Sequence, residues 1–157
     1  KEKSMERTLV ILKPCTIQRG LIGEIIARFE KKGLILEGMK MTWLTDEILS
    51  EHYAHLKERS FFQRVKDAMA VCPVIVCCWK GVDAVNVVRT LAGSTNGRNA
   101  APGTIRGDYS MSVQENIVHA SDSPETAAIE LKRFFNEDEL FSYETKNLLS
   151  LYANDEF

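Results

Sequence analysis

His119 stands in ENIVHASDSPE, residues 115–125, where an apolar run gives way to small hydroxyl, carboxyl and proline residues. An imidazole in that setting is either a hydrogen-bonded structural residue of a strand or a nucleophile. The run NIVHA reads as a strand over 116–120, and alternation assigns Ile117 and His119 to one face, Asn116 and Val118 to the other. Ser123 then caps a helix over 124–135 with Pro124 at its first position, so His119 lies just ahead of a helix start whose free N–H groups favour anions. On that helix Glu130 shares a stripe with Ala127 and Phe134 and edges the buried face. A carboxylate there can accept one imidazole N–H, fix the tautomer and leave the other nitrogen free to attack; an ordinary boundary glutamate is the alternative.

Cations are the second resource. From Ala84 to Gly107 the chain carries Arg89, Arg98 and Arg106 and no acidic residue, with GSTNG and PGTIRG supplying glycines and small hydroxyls. A phosphate-rich ligand suits such a stretch, because guanidinium groups bind phosphate bidentately and glycine lets backbone N–H groups face an anion. A solvated connection is the plainer reading. Lys13 leaves an apolar strand directly before Pro14, and no acidic residue occurs from Thr8 to Leu21. Phe61 and Phe62 in RSFFQR are core residues by default, although an exposed aromatic beside arginines can stack on a base. His52 and His55, three apart on a helix, lack a third ligand of suitable type, so no protein metal site is assigned. The chain has no GxxxxGK[ST] loop, no HRD or DFG signature and no dinucleotide fingerprint, so phosphates would bind by another device.

The elements that must position these groups follow from periodicity and punctuation. RTLVILK (7–13) is a buried strand halted by Pro14; residues 20–33 form a helix ended by Gly33; residues 34–44 form a second strand. Helices over 45–56, opened by Thr45, and 60–71 precede a strand over 73–79, and a helix over 81–93 ends at Gly93. Residues 94–114 read as a long loop without regular structure. Strands and helices in this order fold as an α/β sandwich, helices over a four-stranded sheet. With 157 residues and no repeat the chain reads as one domain, residues 1–157, with a leader or added remnant over 1–5 and a tail over 144–157. A net charge of −2 gives no attraction to nucleic acid or anionic lipid, and no apolar stretch is long enough to span a membrane. Cys15, Cys72, Cys77 and Cys78 form no CxxC pair; Cys77 and Cys78 point to opposite faces of their strand, consistent with reduced thiols in the cytoplasm.

The stretches ERTLVILKP, QRGLIGEII, RFEKKG, HYAHLKERSFF, PGTIRGD and above all NIVHASDS resemble the nucleoside diphosphate kinases, in continuous register from about Arg7 to Tyr143. The resemblance implies a ferredoxin-like βαββαβ fold of the α+β type, a four-stranded antiparallel sheet covered by helices, with a long phosphate-binding loop. It implies ping-pong exchange of a γ-phosphoryl group between a nucleoside triphosphate and a nucleoside diphosphate through phosphohistidine at His119, with low base specificity. By position it assigns phosphate and ribose contacts to Lys13, Tyr53, Arg89, Thr95, Arg106 and Asn116. Phe61 and Val113 would sandwich the base, with Val65 nearby, while Ser121 and Glu130 would position the histidine. It further implies Mg²⁺ carried by the nucleotide phosphates and a homo-oligomer, hexamer or tetramer.

Several positions depart from that pattern. Cys15-Thr16 replaces Asp-Gly, Ser60 replaces a proline, Val65 a leucine and Ala120 a glycine; Gly97 replaces a proline of the long loop and is expected to loosen it. Two other readings are a catalytically impaired nucleotide-binding regulatory module and a nucleic-acid-binding protein of the same fold.

Overall fold

In the computed structural model, residues 5–157 are described; the expected leader therefore lies, apart from Met5, outside the described residues. The chain runs β1 (Glu6–Leu12), α1 (Pro14–Gln18), α2 (Ile22–Lys32), β2 (Ile35–Thr42), α3 (Asp46–His52), α4 (Phe62–Met69), β3 (Val74–Gly81), α5 (Ala84–Ala92), α6 (Ile105–Tyr109), β4 (Val118–Ala120), α7 (Pro124–Phe134) and α8 (Leu148–Leu151). Among the described residues four strands form one antiparallel sheet in the order β2-β3-β1-β4, which is the ferredoxin-like arrangement, with α3 and α4 inserted between β2 and β3.

β1 is central because it can be buried on both faces, and Leu9 to Leu12 are fully enclosed. Alternation sends Val10 and Leu12 to a core layer with Ile25 and Phe29 of α2 and Val88 of α5. It sends Leu9 and Ile11 to the opposite layer with Leu49 of α3, Met69 of α4 and Phe134 of α7. Cys77 and Cys78 divide between the same two layers, as their adjacency on a strand requires, and burial first of all pushes both thiols up to about 12.

Local chemistry sets the ends of the helices. The Thr45 hydroxyl accepts the Ile48 N–H at α3 and the Ser123 hydroxyl accepts the Thr126 N–H at α7. Gly33 closes α2 in the left-handed region at φ 111°, where a side chain would be strained. The helix expected over 20–33 is preceded by a separate short one, because Pro14 does more than stop the strand: it occupies the first position of α1. The helix expected over 45–56 ends at His52 and continues only as a 3₁₀ turn, Ala54–Leu56.

The stretch 94–114 is more regular than a loop. It holds a 3₁₀ turn, Gly97–Asn99, and α6, which the Thr104 hydroxyl caps by accepting the Gly107 N–H. Gly97 does not loosen it. The Gly97 N–H donates to the Ser112 carbonyl at 3.0 Å, a bond proline cannot make, and a Cβ there would run into the Ser110 carbonyl. The tail over 144–157 folds back on the sheet, where the Tyr152 hydroxyl accepts the Val82 N–H. Among the described residues no helix is long and apolar enough to cross a membrane.

Candidate active site

β4 pairs with the end of β1, His119 opposite Ile11, so the imidazole lies on the sheet face that α3 and α7 cover. Alternation fails just ahead of it. Ile117 adopts φ 74°, rare for a β-branched residue, and its side chain enters the other core layer beside Val118 and Ala120. The expectation that Ile117 and His119 share a face is therefore wrong: the left-handed residue turns the chain, and regular alternation begins only at Val118. The twist costs about 1–3 kcal/mol and persists because its surroundings fix it. The Ile117 carbonyl accepts the Lys13 N–H at 3.0 Å and the buried Thr16 hydroxyl at 2.6 Å. Thr16, one of the departures noted above, thus anchors the strand that carries His119.

The His119 Nε2 lies 3.0 Å from both oxygens of Glu130, and the Ser121 hydroxyl donates to Glu130 Oε1 at 2.5 Å. Burial alone would raise the Glu130 carboxyl, but the His119 hydrogen bond and charge, the Ser121 hydroxyl and the His52 imidazole outweigh it and hold the group below the ordinary carboxylate range. A carboxylate only accepts, so the proton belongs to Nε2 and Nδ1 keeps its lone pair.

A cavity of about 600 Å³ opens in front of the ring. Lys13, Tyr53, Arg89, Thr95, Arg106, Asn116, His119 and Glu130, all singled out from sequence, line it together. Ser121 lies behind Glu130, almost wholly buried. Val65 lines a small neighbouring cavity with Lys13, Tyr53 and Gln114. Phe61 and Val113 line neither and remain substantially exposed.

Lys13 and Arg106 are held by carbonyl oxygens rather than by acids. Lys13 Nζ donates to the Gln114 carbonyl at 3.1 Å and to Asn116 Oδ1 at 2.7 Å, while Asn116 Nδ2 donates to the Thr95 carbonyl at 3.0 Å. Burial, then the Arg106 charge, lowers the Lys13 amine to about 8. Arg106 spans three carbonyls, donating to Asn116 at 3.1 Å, Gly93 at 2.9 Å and Val118 at 2.7 Å. Burial and the Arg89 charge lower its guanidinium to about 10. Arg89 pairs with Asp122 at 2.7 Å. Four cationic side chains, Lys13, Arg89, Arg106 and Arg133, line one cavity together with Glu51, Asp122 and Glu130, although the whole chain carries a formal net charge of −2.

Sequence reasoning passed over His52, Arg133 and Asp122, which line the same cavity. His52 had been considered only with His55 as a metal pair. It points inward, three residues beyond Leu49 on the buried stripe of α3, and that spacing was the available signal. Arg133 follows Glu130 by three and so shares its side of α7. His52, His119 and Glu130 bring ligand-type atoms within 4.8 Å of one another. Arg133 Nη1, however, donates to His52 Nδ1 at 2.9 Å, so that nitrogen's lone pair is taken and a cation already stands beside it.

The fold agrees with comparison to known proteins. The family model for nucleoside diphosphate kinase matches residues 6–140. The chain is 86% identical over 153 residues to a nucleoside diphosphate kinase of Parabacteroides distasonis, covering 98% of this chain and 100% of the relative. It is 50% identical to the Pyrococcus abyssi enzyme of that name, over 90% of this chain and 91% of the other. The halophilic nucleoside diphosphate kinase of Halobacterium salinarum, solved in complex with CDP, superposes with a TM-score of 0.92 at 39% identity, covering 95% of this chain and 99% of that one. The chain belongs to the nucleoside diphosphate kinase family.

Proposed function

We propose that this chain transfers the γ-phosphoryl group of a nucleoside triphosphate to His119 Nδ1 and from there to a nucleoside diphosphate, reversibly and with low base specificity. The observation that carries this reading is one imidazole with its two nitrogens committed to different tasks. Nε2 is tied to a buried carboxylate, and Nδ1 is left with its lone pair beside a cavity lined by Lys13, Arg89 and Arg106.

In the first step the Nδ1 lone pair forms the N–P bond while the bond from the γ-phosphorus to the bridging oxygen breaks, and the diphosphate leaves with that electron pair. In the second, the incoming diphosphate's terminal oxygen attacks and the N–P electrons return to Nδ1. Glu130 stabilises the cationic ring through Nε2–H, and Ser121 holds Glu130. The protein otherwise supplies position and charge: Lys13, Arg89 and Arg106 face the phosphate oxygens, with Tyr53, Thr95 and Asn116 completing the phosphate and ribose contacts. Mg²⁺ enters as part of the nucleotide substrate, neutralising charge on its oxygens. The carboxylates that line the cavity are already engaged, Glu130 by His119 and Ser121, Asp122 by Arg89 and Glu51 by Arg133, which suits a metal carried on phosphates rather than one caged by protein carboxylates. Phe61 and Val113 take the base between them outside the cavity, with Val65 close by; contact with its faces rather than its edges accounts for low base specificity.

The chain acts as one domain with residues 144–157 as its tail, in the cytoplasm, where its free thiols stay reduced. It works as a homo-oligomer, hexamer or tetramer. β2 is an edge strand, and its Met39 and Met41, with Trp43 just beyond its end, are half or more exposed, an apolar strip suited to a second copy.

Incubation with γ-labelled ATP and Mg²⁺ tests the exchange. Acid-labile, alkali-stable label is expected on the protein, chased off by nucleoside diphosphates of any base, and absent from His119→Ala. Label that persists in that variant refutes the assignment, and nucleotide binding without any label favours the impaired regulatory module.

A further inference from the structure

Arg133 and His52 have no task in the chemistry above, yet they are built into its centre. The His52 ring is buried and meets the His119 ring edge-on at 4.7 Å and Phe134 at 5.1 Å. Arg133 Nη1 lies 2.9 Å from His52 Nδ1. A guanidinium can only donate, so His52 Nδ1 must accept, and a neutral ring then carries its proton on Nε2. The same Nδ1 is 3.6 Å from Glu130 Oε2. Protonated there, His52 would become another donor to the carboxylate that already accepts His119 Nε2–H and Ser121 Oγ–H.

We propose that Arg133 is a positioning residue for His119, acting through His52: its donation to Nδ1 keeps His52 a neutral Nε2–H imidazole and reserves the Glu130 carboxylate for His119 and Ser121. The proposal rests on the reading of His119 as the phosphoryl acceptor. Glu51 steadies the guanidinium, with Oε1 3.3 Å from Arg133 Nε. The titratable and charged groups around His52 are Glu51, Tyr53 and His55 from its own helix and the turn beyond, His119 from β4, and Glu130 and Arg133 from α7. Of these, Glu130 favours a charged His52. Burial, most of all, and the charges of His119, Arg133 and His55 oppose it, holding the imidazole at about 3. Losing Arg133 removes both a donor to Nδ1 and an opposing charge, which frees the ring to turn a proton toward Glu130 at a higher pH than in the wild type, although burial still opposes the charge.

Two readings on the full chain test this. Two-bond ¹H–¹⁵N spectra without nucleotide report the His52 tautomer, and the initial rate of labelling from γ-labelled ATP is followed against pH. Wild-type His52 is expected to stay Nε2–H and neutral down to about pH 5. In Arg133→Met, which keeps the buried stem, His52 should gain an Nδ1 proton and the midpoint of the acid limb should rise by about one pH unit, a tenfold change in proton affinity. Arg133→Met combined with His52→Phe should return the limb to its wild-type position, because the competing donor is gone. A simple packing role moves only the rate and not the limb, with the double variant no better than Arg133→Met; that result overturns the proposal, as does an Nδ1-protonated His52 in the wild type. The wild-type tautomer requires no variant to fold and no phosphorylation, so label persisting in His119→Ala would defeat the acceptor assignment separately.

Discussion

Arg106 is the residue whose observed surroundings most change its expected behaviour. Sequence presents it as a phosphate-binding cation, yet three of its donors are spent on the carbonyls of Gly93, Asn116 and Val118. It therefore also fastens the polar stretch to the strand that carries His119. Arg106→Ala should lose turnover and in addition about 3 kcal/mol of stability, since the Gly93 and Val118 carbonyls lose the guanidinium and only the Asn116 carbonyl keeps the Val118 N–H. Thermal unfolding should record a drop of roughly 10 °C; an unshifted melting temperature would limit Arg106 to ligand contact. Lys13 carries a pH dependence. Burial and Arg106 lower its amine from 10.5 to about 8, so between those values the unfolded chain binds a proton that the folded chain does not. Stability should rise with pH across that window, while affinity for a nucleoside diphosphate falls as the amine loses its charge. Calorimetric titrations on either side of about pH 8 check the second trend, and an affinity constant across that range would remove Lys13 from the phosphate contacts.

At the scale of elements, the readable features were those fixed by local chemistry. Thr45, Ser123 with Pro124, and Gly33 mark helix ends because caps and left-handed turns depend on single residues. The buried run over 7–13 gave the central strand, since a short β-branched run covered on both faces is apolar at successive positions. Contacts between distant segments were not readable. The left-handed turn at Ile117 is held by Lys13 and Thr16, about a hundred positions earlier, so a rule of alternation confined to 116–120 could not find it. The His52–Arg133 contact likewise joins α3 to α7 only after folding. Gly97 makes a related point, because its value lies in a close approach to Ser110 that composition does not announce. Gly97→Ala should cost about 1–3 kcal/mol by forcing the stretch off Ser110 and should loosen the Gly97–Ser112 bond. Denaturant unfolding together with amide exchange at Gly97 measures both, and unchanged protection would mean that the stretch adapts freely.

For the whole molecule, a mildly acidic chain brings Lys13, Arg89, Arg106 and Arg133 to one cavity, which favours a polyphosphate over extended nucleic acid. The exposed methionines and tryptophan of the β2 edge extend the argument to assembly. Met39→Asp together with Met41→Asp should shift the protein to smaller species in light scattering after size exclusion, whereas an unaltered assembly would move the interface elsewhere. The central claim concerns a single nitrogen, and the direct test is to identify the atom that carries phosphorus. Spectra of uniformly ¹⁵N-labelled protein phosphorylated by ATP should show ³¹P coupled to His119 Nδ1, with Nε2 still protonated against Glu130. Phosphorus on Nε2, or on any residue other than His119, would contradict the account.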